Sequence, residues 1–202
     1  MDFKLIKFPG EDTAYIAPTW DEMNQLAFAI AQKIIKAKLK FDRIVTLAKG
    51  GWPLTRSMVD FLSVDKVASI GVKFYSGVYQ KLARPQIYQD LPEQVKGEDI
   101  LLFDDVADSG GSLKFVQNHL NRHRPKSITT ATLLYKPWST FKPDYYGVET
   151  SAWIIFPYEA VDTINLFGKK WQAQGLPPAE LIKRFEQLGI NPLWTKAYLS
   201  AR

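Results

Sequence analysis

The chain predicts an α/β fold, a mostly parallel sheet flanked by helices, and three observations lead there. Strand and helix signals alternate in β-α-β-α order through the middle of the sequence, an order that buries a parallel sheet between helices. Ile100-Leu101-Leu102-Phe103 is apolar without alternation, as in a strand covered on both faces. Lys49, the run Asp104 to Ser112, and Lys136 all fall at the carboxyl ends of predicted strands, where open parallel sheets bind ligands.

Taken in order, Thr19 caps a helix reaching about Leu39, with Asp21 and Glu22 in its first turn. Met23, Leu26, Ala27, Ile30, Ile34 and Ala37 recur at helical spacing and give one buried stripe. A strand follows at Arg43–Ala48. Pro53 starts a helix to about Leu62, in keeping with the proline preference for a first turn. Val67–Phe74 alternates and reads as a strand. Tyr75 to Glu98 is long, polar and without clear periodicity, which favours a mobile lid; a β-hairpin over Val78 to Ile87 is the plainer reading. Next comes the strand ending at Phe103, a loop, a helix Leu113 to Leu120 stopped by Pro125, and a strand Ile128–Tyr135. Pro177 and Pro178 open a helix to about Leu188, followed by Pro192, Trp194 and Tyr198.

Residues 100–113 carry the most chemistry. The strand ends in Asp104 and Asp105, followed by Asp108 and the small-residue run Ser109-Gly110-Gly111-Ser112. Gly110 and Gly111 permit positive φ and close approach to a ligand. The first N–H groups of the next helix lack internal partners and, with the dipole, make an anion site. No lysine follows the glycines as in GxxxxGK[ST], and GxGxxG is absent. Carboxylates beside an anion site repel the anion unless they contact something else, such as vicinal ribose hydroxyls or magnesium. The loop therefore reads as a sugar-phosphate site. An ordinary turn capped by Asp108 or Ser109 is the bland alternative.

This stretch resembles the phosphoribosyl-pyrophosphate signature of type I phosphoribosyltransferases, and two further segments resemble their 6-oxopurine branch. The resemblance implies that Asp104 and Asp105 hold the ribose, that Asp108, Ser109, Gly110, Gly111 and Ser112 hold the 5-phosphate, and that Asp108 manages the proton at purine N7. Val45 to Gly51 resembles the pyrophosphate loop, with Lys49, Gly50 and Gly51 as contacts and a cis peptide at Ala48–Lys49. Lys136 and the segment Trp153 to Glu159 resemble the base site of bacterial xanthine-guanine enzymes. There Lys136 would meet O6, Trp153 would stack on the base, and the backbone of Ile154 would read its edge. Magnesium is the implied cofactor, on Asp104 and Asp105, with Glu159 as a further contact. A single domain over residues 1–202 is implied, its hood built from the N-terminus and about 137–202. The implied partners are phosphoribosyl pyrophosphate, a purine base and pyrophosphate, in a homodimer or tetramer. Lys49 stands where the bacterial enzyme has arginine, and serines stand where threonines are usual; both changes keep the chemistry.

Composition bounds the rest. At 202 residues and 46% apolar content the chain suits one domain, or one domain with a cap. No stretch approaches the roughly 18 apolar residues of a membrane span, and no leader pattern is present, so a cytoplasmic location is expected. With no cysteine, disulfides and thiolate metal sites are excluded. A net charge of +5 suits anionic ligands. The basic residues Arg122, His123, Arg124 and Lys126 sit at a helix C-terminus, where they complement the dipole, so nucleic acid is not the expected partner. His119 and His123 have metal-ligand spacing on a helix but no third ligand in the sequence, and read as surface histidines. Two rival functions remain: a phosphoribosyltransferase for another base, such as uracil or orotate, and a non-catalytic phosphoribosyl-pyrophosphate sensor.

Overall fold

A computed structural model describes residues 2–75 and 81–200. In chain order the elements are β1 (Ile6–Lys7), β2 (Ala14–Ile16), α1 (Trp20–Lys36), β3 (Arg43–Ala48), α2 (Trp52–Leu62), β4 (Lys66–Tyr75) and β5 (Lys81–Gln89). They continue as β6 (Asp99–Ala107), α3 (Gly111–Arg122), β7 (Ser127–Tyr135), β8 (Tyr145–Glu149), β9 (Trp153–Ile154), α4 (Ala160–Ala173), α5 (Pro178–Gln187) and α6 (Pro192–Ser200). The chain divides into two compact units, residues 23–150 and residues 1–22 with 151–202.

The larger unit holds a six-stranded sheet in the order β5-β4-β3-β6-β7-β8. Every neighbouring pair is parallel except β4 and β5, which run antiparallel. The central strands are buried almost throughout, which is why their sequences lack alternation. Val45, Leu47, Ile70, Ile100 and Leu102 pack with Leu113, Val116 and Leu120 of α3 into one core.

Local signals set the helix ends. At α1, Thr19 and Glu22 form a reciprocal capping box: the Thr19 N–H donates to Glu22 Oε2 at 2.7 Å and the Glu22 N–H to Thr19 Oγ1 at 3.2 Å. The helix stops at Lys36, earlier than expected, and Lys38 takes φ 58°. Ala37 therefore lies outside the buried stripe, which includes Ala31 instead. Pro53 stands in the first turn of α2. Arg124, at φ 55°, and Pro125 close the exit from α3.

Two expectations need correction. Strand β6 does not end at Phe103; it carries Asp104 and Asp105 and continues to Ala107, with Asp104 opposite Thr132 and Ala107 opposite Tyr135 of β7. The stretch from Tyr75 to Glu98 is not mostly irregular, since Lys81–Gln89 is a strand returning beside β4. Residues 76–80, at the start of the expected lid, lie outside the described residues.

At the amino ends of the strands, Arg43 is buried and ion-paired. Its Nε donates to Glu98 Oε2 at 2.7 Å and its NH2 to Glu93 Oε2 at 2.8 Å, while Lys66 Nζ reaches Glu98 Oε1 at 3.1 Å.

The smaller unit has a three-stranded sheet, β1-β2-β9, with β2 and β9 parallel, and the helices α4, α5 and α6. Its core gathers Phe8, Tyr15, Phe167, Trp171 and Phe185. Glu11 ties this core together. It accepts from the Tyr15 hydroxyl at 2.7 Å, the Trp171 indole at 2.7 Å and the Lys170 ammonium at 2.8 Å. Among the described residues, no helix is long and apolar enough to cross a membrane.

Candidate active site

In the larger unit, the carboxyl ends of β3, β6 and β7 lie side by side, because these strands are parallel neighbours. Each delivers one of the segments singled out in the sequence.

Strand β3 leads into Lys49, Gly50 and Gly51. The Ala48–Lys49 peptide is cis. The turn is closed by Gly51 N–H donating to Leu47 O at 3.0 Å and Trp52 N–H to Lys49 O at 3.1 Å. The Thr55 hydroxyl, one turn into α2, holds it from beneath through Gly51 O at 2.6 Å. Lys49 is exposed at the tip.

Strand β6 delivers the acidic pair. Asp104 Oδ1 accepts from the Asp105 N–H at 3.0 Å, and Asp105 is buried. A Cβ on Gly50 would overlap the Asp105 carboxylate. The glycine is thus required by contact between the two segments, not by an unusual φ. At Gly51 the same test meets Thr46 Oγ1 and Phe103 O, so both glycines let the turn lie flat on the strand ends.

The loop after β6 differs in detail from its expected form. Gly110 has φ 78° and is itself the N-cap of α3, whereas Gly111 is the first helical residue and does not take positive φ. Neither Asp108 nor Ser109 caps the helix. Ser109 Oγ accepts from Gly111 N–H at 3.3 Å, and Asp108 and Ser109 are exposed. Gly110 is also hemmed in, since a Cβ there would strike Ser139 and Phe141. Ser112 lies in the first turn of α3, directly after this loop.

Strand β7 ends at Tyr135 and hands on Lys136, whose N–H donates to Ala107 O at 3.1 Å. Lys136 is not a solvated strand end: only 5% of its surface is exposed. Burial pushes its ammonium below the ordinary lysine range, and the Asp108 carboxylate opposes that shift. Its Nζ lies 5.2 Å from the centre of the Trp138 ring. Trp138 in turn donates its indole N–H to Asp108 Oδ1 at 3.1 Å. The Thr140 N–H and hydroxyl both donate to Ser109 O, at 3.1 and 2.9 Å. Residues 136–141 therefore brace the small-residue loop. Trp138 was not singled out from the sequence, although an aromatic two residues beyond a strand-terminal lysine was the available signal.

The remaining predicted residues belong to the smaller unit. Trp153 opens β9 opposite Tyr15, with its ring edge-on to Phe167 at 5.7 Å. It is 48% exposed, so it is not a core aromatic. Ile154 is buried. Glu159 is exposed and is the N-cap residue of α4.

Such a site combines a helix start, a half-buried and a buried carboxylate side by side, and a buried ammonium on neighbouring strands. The phosphoribosyl transferase domain model matches residues 19–163, most of the chain, and the chain belongs to that family. It is 27% identical over 155 residues to a xanthine-guanine phosphoribosyltransferase from Gluconobacter oxydans, covering 76% of this chain and 88% of that protein. Against a hypoxanthine-guanine phosphoribosyltransferase from Mycoplasma genitalium it is 32% identical over 103 residues, covering 50% of this chain and 59% of that protein. The crystal structure of a purine phosphoribosyltransferase from Pyrococcus horikoshii superposes with a TM-score of 0.65 at 31% identity, over 71% of this chain and 93% of that one.

Proposed function

We propose that the protein transfers the phosphoribosyl group of phosphoribosyl pyrophosphate to N9 of a 6-oxopurine. Guanine, xanthine and hypoxanthine are the candidate bases, and the products are the nucleoside monophosphate and pyrophosphate of purine salvage. The observation that carries this reading is the meeting of Gly50 with Asp105, and of Lys136 and Asp108 with Trp138, at the carboxyl ends of neighbouring strands of one sheet.

In this reading the loop from Asp108 to Ser112 and the start of α3 hold the 5-phosphate. Asp104 and Asp105 accept from the ribose hydroxyls. Lys49 and the amides of Gly50 and Gly51 stabilise the departing pyrophosphate. Lys136 donates to O6 of the base and disfavours adenine, whose exocyclic amine is also a donor. Asp108, oriented by the Trp138 indole, takes or gives the proton at N7. Asp104 and Asp105 also suit magnesium: they are hard oxygen donors at a strand end, with the carboxylate of Asp105 turned onto the Gly50 loop. When bound, the ion would supply charge neutralisation for the pyrophosphate group.

The test is nucleotide formation with phosphoribosyl pyrophosphate and magnesium, offering guanine, xanthine, hypoxanthine, adenine, uracil and orotate separately. Turnover of one or more 6-oxopurines with adenine silent is expected. Turnover only of a pyrimidine would overturn the base assignment. Binding of phosphoribosyl pyrophosphate without turnover of any base would make the protein a sensor.

A further inference from the structure

His119 and His123 lack a third metal ligand in the sequence around them, but the fold supplies one. His119 lies in the last turn of α3 and His123 is its C-cap residue, and their ring centroids are 4.9 Å apart. Asp90, the residue after β5 and 29 positions upstream of His119, reaches the same point. His119 Nε2 lies 2.8 Å from Asp90 Oδ1 and 3.3 Å from His123 Nε2. A ligand atom from each residue falls within 4.8 Å of the others. Asp90 Oδ1 also accepts from the Leu91 N–H at 2.7 Å.

A hydrogen-bond account of this cluster is incomplete. An imidazole nitrogen has one in-plane position, filled by either a proton or a lone pair. A proton on His119 Nε2 serves Asp90 and leaves the His123 nitrogen a poor second acceptor. A lone pair on His119 Nε2 faces the Asp90 carboxylate and repels it. One cation between the three atoms satisfies them all. Zinc bonds to imidazole nitrogen at about 2.0–2.1 Å, so two nitrogens on a tetrahedral ion stand about 3.3 Å apart. The two Nε2 atoms already have that separation. Two imidazoles and a carboxylate form a donor set of the zinc class, not of magnesium or calcium.

We propose that Asp90, His119 and His123 bind one divalent transition-metal ion of the zinc class, with the fourth position open to water. Asp90 is the exposed ligand and the two histidines are half-buried, which places the open position on the solvent side. The site clips the chain leaving β5 onto the outer half of α3. His119 lies eight residues beyond Gly111, about 12 Å along the helix, so the ion is remote from the phosphate loop and has a structural role. The proposal does not depend on the proposed reaction.

The experiment uses the full chain stripped of metal by a chelator, which is then removed. Zinc chloride, cobalt chloride and magnesium chloride are titrated by calorimetry, and melting temperature is followed in parallel. The expected result is one tightly bound zinc or cobalt per chain, a higher melting temperature, and the visible absorption of four-coordinate cobalt, which excess magnesium does not displace. His123→Ala, His119→Ala and Asp90→Asn should each weaken zinc binding. Loss of outer-shell support alone costs about 10–100-fold in affinity, so losing either histidine should cost more than about tenfold. Nucleotide formation should be unchanged in all three variants. Absence of zinc and cobalt binding by the wild-type chain would overturn the site, as would binding that all three variants retain.

Discussion

The indole N–H of Trp138 donates to Asp108 Oδ1 at 3.1 Å, while the same ring lies 5.2 Å from the ammonium of Lys136. One exposed aromatic thus touches both the carboxylate proposed to handle the base proton and the cation proposed to read the base oxygen. Trp138→Phe separates the two contacts, keeping a ring beside Lys136 and removing the donor. A hydrogen bond to a charged group is worth about 1.5–3 kcal/mol, and exposure of this one favours the lower end. We expect kcat to fall up to about tenfold with little change in the KM of the base. Steady-state kinetics on the preferred 6-oxopurine checks this; an unchanged kcat would remove Asp108 orientation from the account.

Lys136 is a buried cation whose pKa is pushed down by burial and partly restored by Asp108. Lys136→Met should lower kcat/KM for 6-oxopurines by about 10–100-fold, the worth of a charge-assisted hydrogen bond. Stability should move the other way. Between the lowered folded pKa and the ordinary value of 10.5, the unfolded chain binds the extra proton, so wild-type stability rises with pH there. The methionine variant lacks that rise and is at least as stable at neutral pH. Chemical denaturation of both proteins from neutral to alkaline pH measures the difference.

Gly50 and Asp105 predict a packing effect at the centre of the site. Gly50→Ala places a methyl group on the Asp105 carboxylate, and one of them must shift. Overpacking of this kind costs about 1–3 kcal/mol. Gly50 is half-buried and Asp105 is buried, so the effect should fall on both ligand binding and folding. We expect the KM for phosphoribosyl pyrophosphate to rise about tenfold or more, with the melting temperature falling by about 2–4 °C per kcal/mol lost. Replacing Asp104 and Asp105 together with asparagine should also raise that KM. If the double variant has unaltered kinetics, the carboxylates do not hold the ribose.

Legibility in the sequence followed the range of the interactions. The limits of β3 could be read because Gly50, Gly51 and Pro53 punctuate the chain directly after it. The end of β6 was misplaced because Asp104 and Asp105 look like turn residues. Their place in the strand is set by the ladder to Thr132 and Leu134 of β7, which no local pattern reveals. The parallel ladder between β3 and β6 that brings Gly50 beside Asp105 is likewise long-range. Trp138 and Asp90 escaped notice for the same reason: Trp138 acquires its partner only when β6 and β7 pair, and Asp90 only when the end of β5 meets α3. In the smaller unit, β1, β2 and β9 are only two or three residues long, too short to show a period.

The amino ends of the larger sheet's strands offer a pH test that is independent of catalysis. Arg43, 3% exposed, pairs with Glu98 at 2.7 Å and Glu93 at 2.8 Å. Its hydrogen bond holds the Glu98 carboxyl below the ordinary glutamate range; burial opposes this, and Lys66 adds to the lowering. A depressed carboxyl contributes stability that is fully present above its unfolded pKa and is lost as pH falls through its folded one. The wild-type chain should therefore lose this contribution progressively below about pH 4.5, the ordinary value for the group. Glu98→Gln keeps the shape and removes the charge, leaving the Arg43 guanidinium buried with only Glu93 opposite. Breaking a buried pair from one side costs about 3–5 kcal/mol, and the residual Glu93 contact places the expected loss at the lower end. Urea unfolding at neutral pH should show that loss, and the gap between variant and wild type should narrow as both are taken to acid. A gap that stays constant with pH would mean that the charge on Glu98 contributes nothing and only its packing matters.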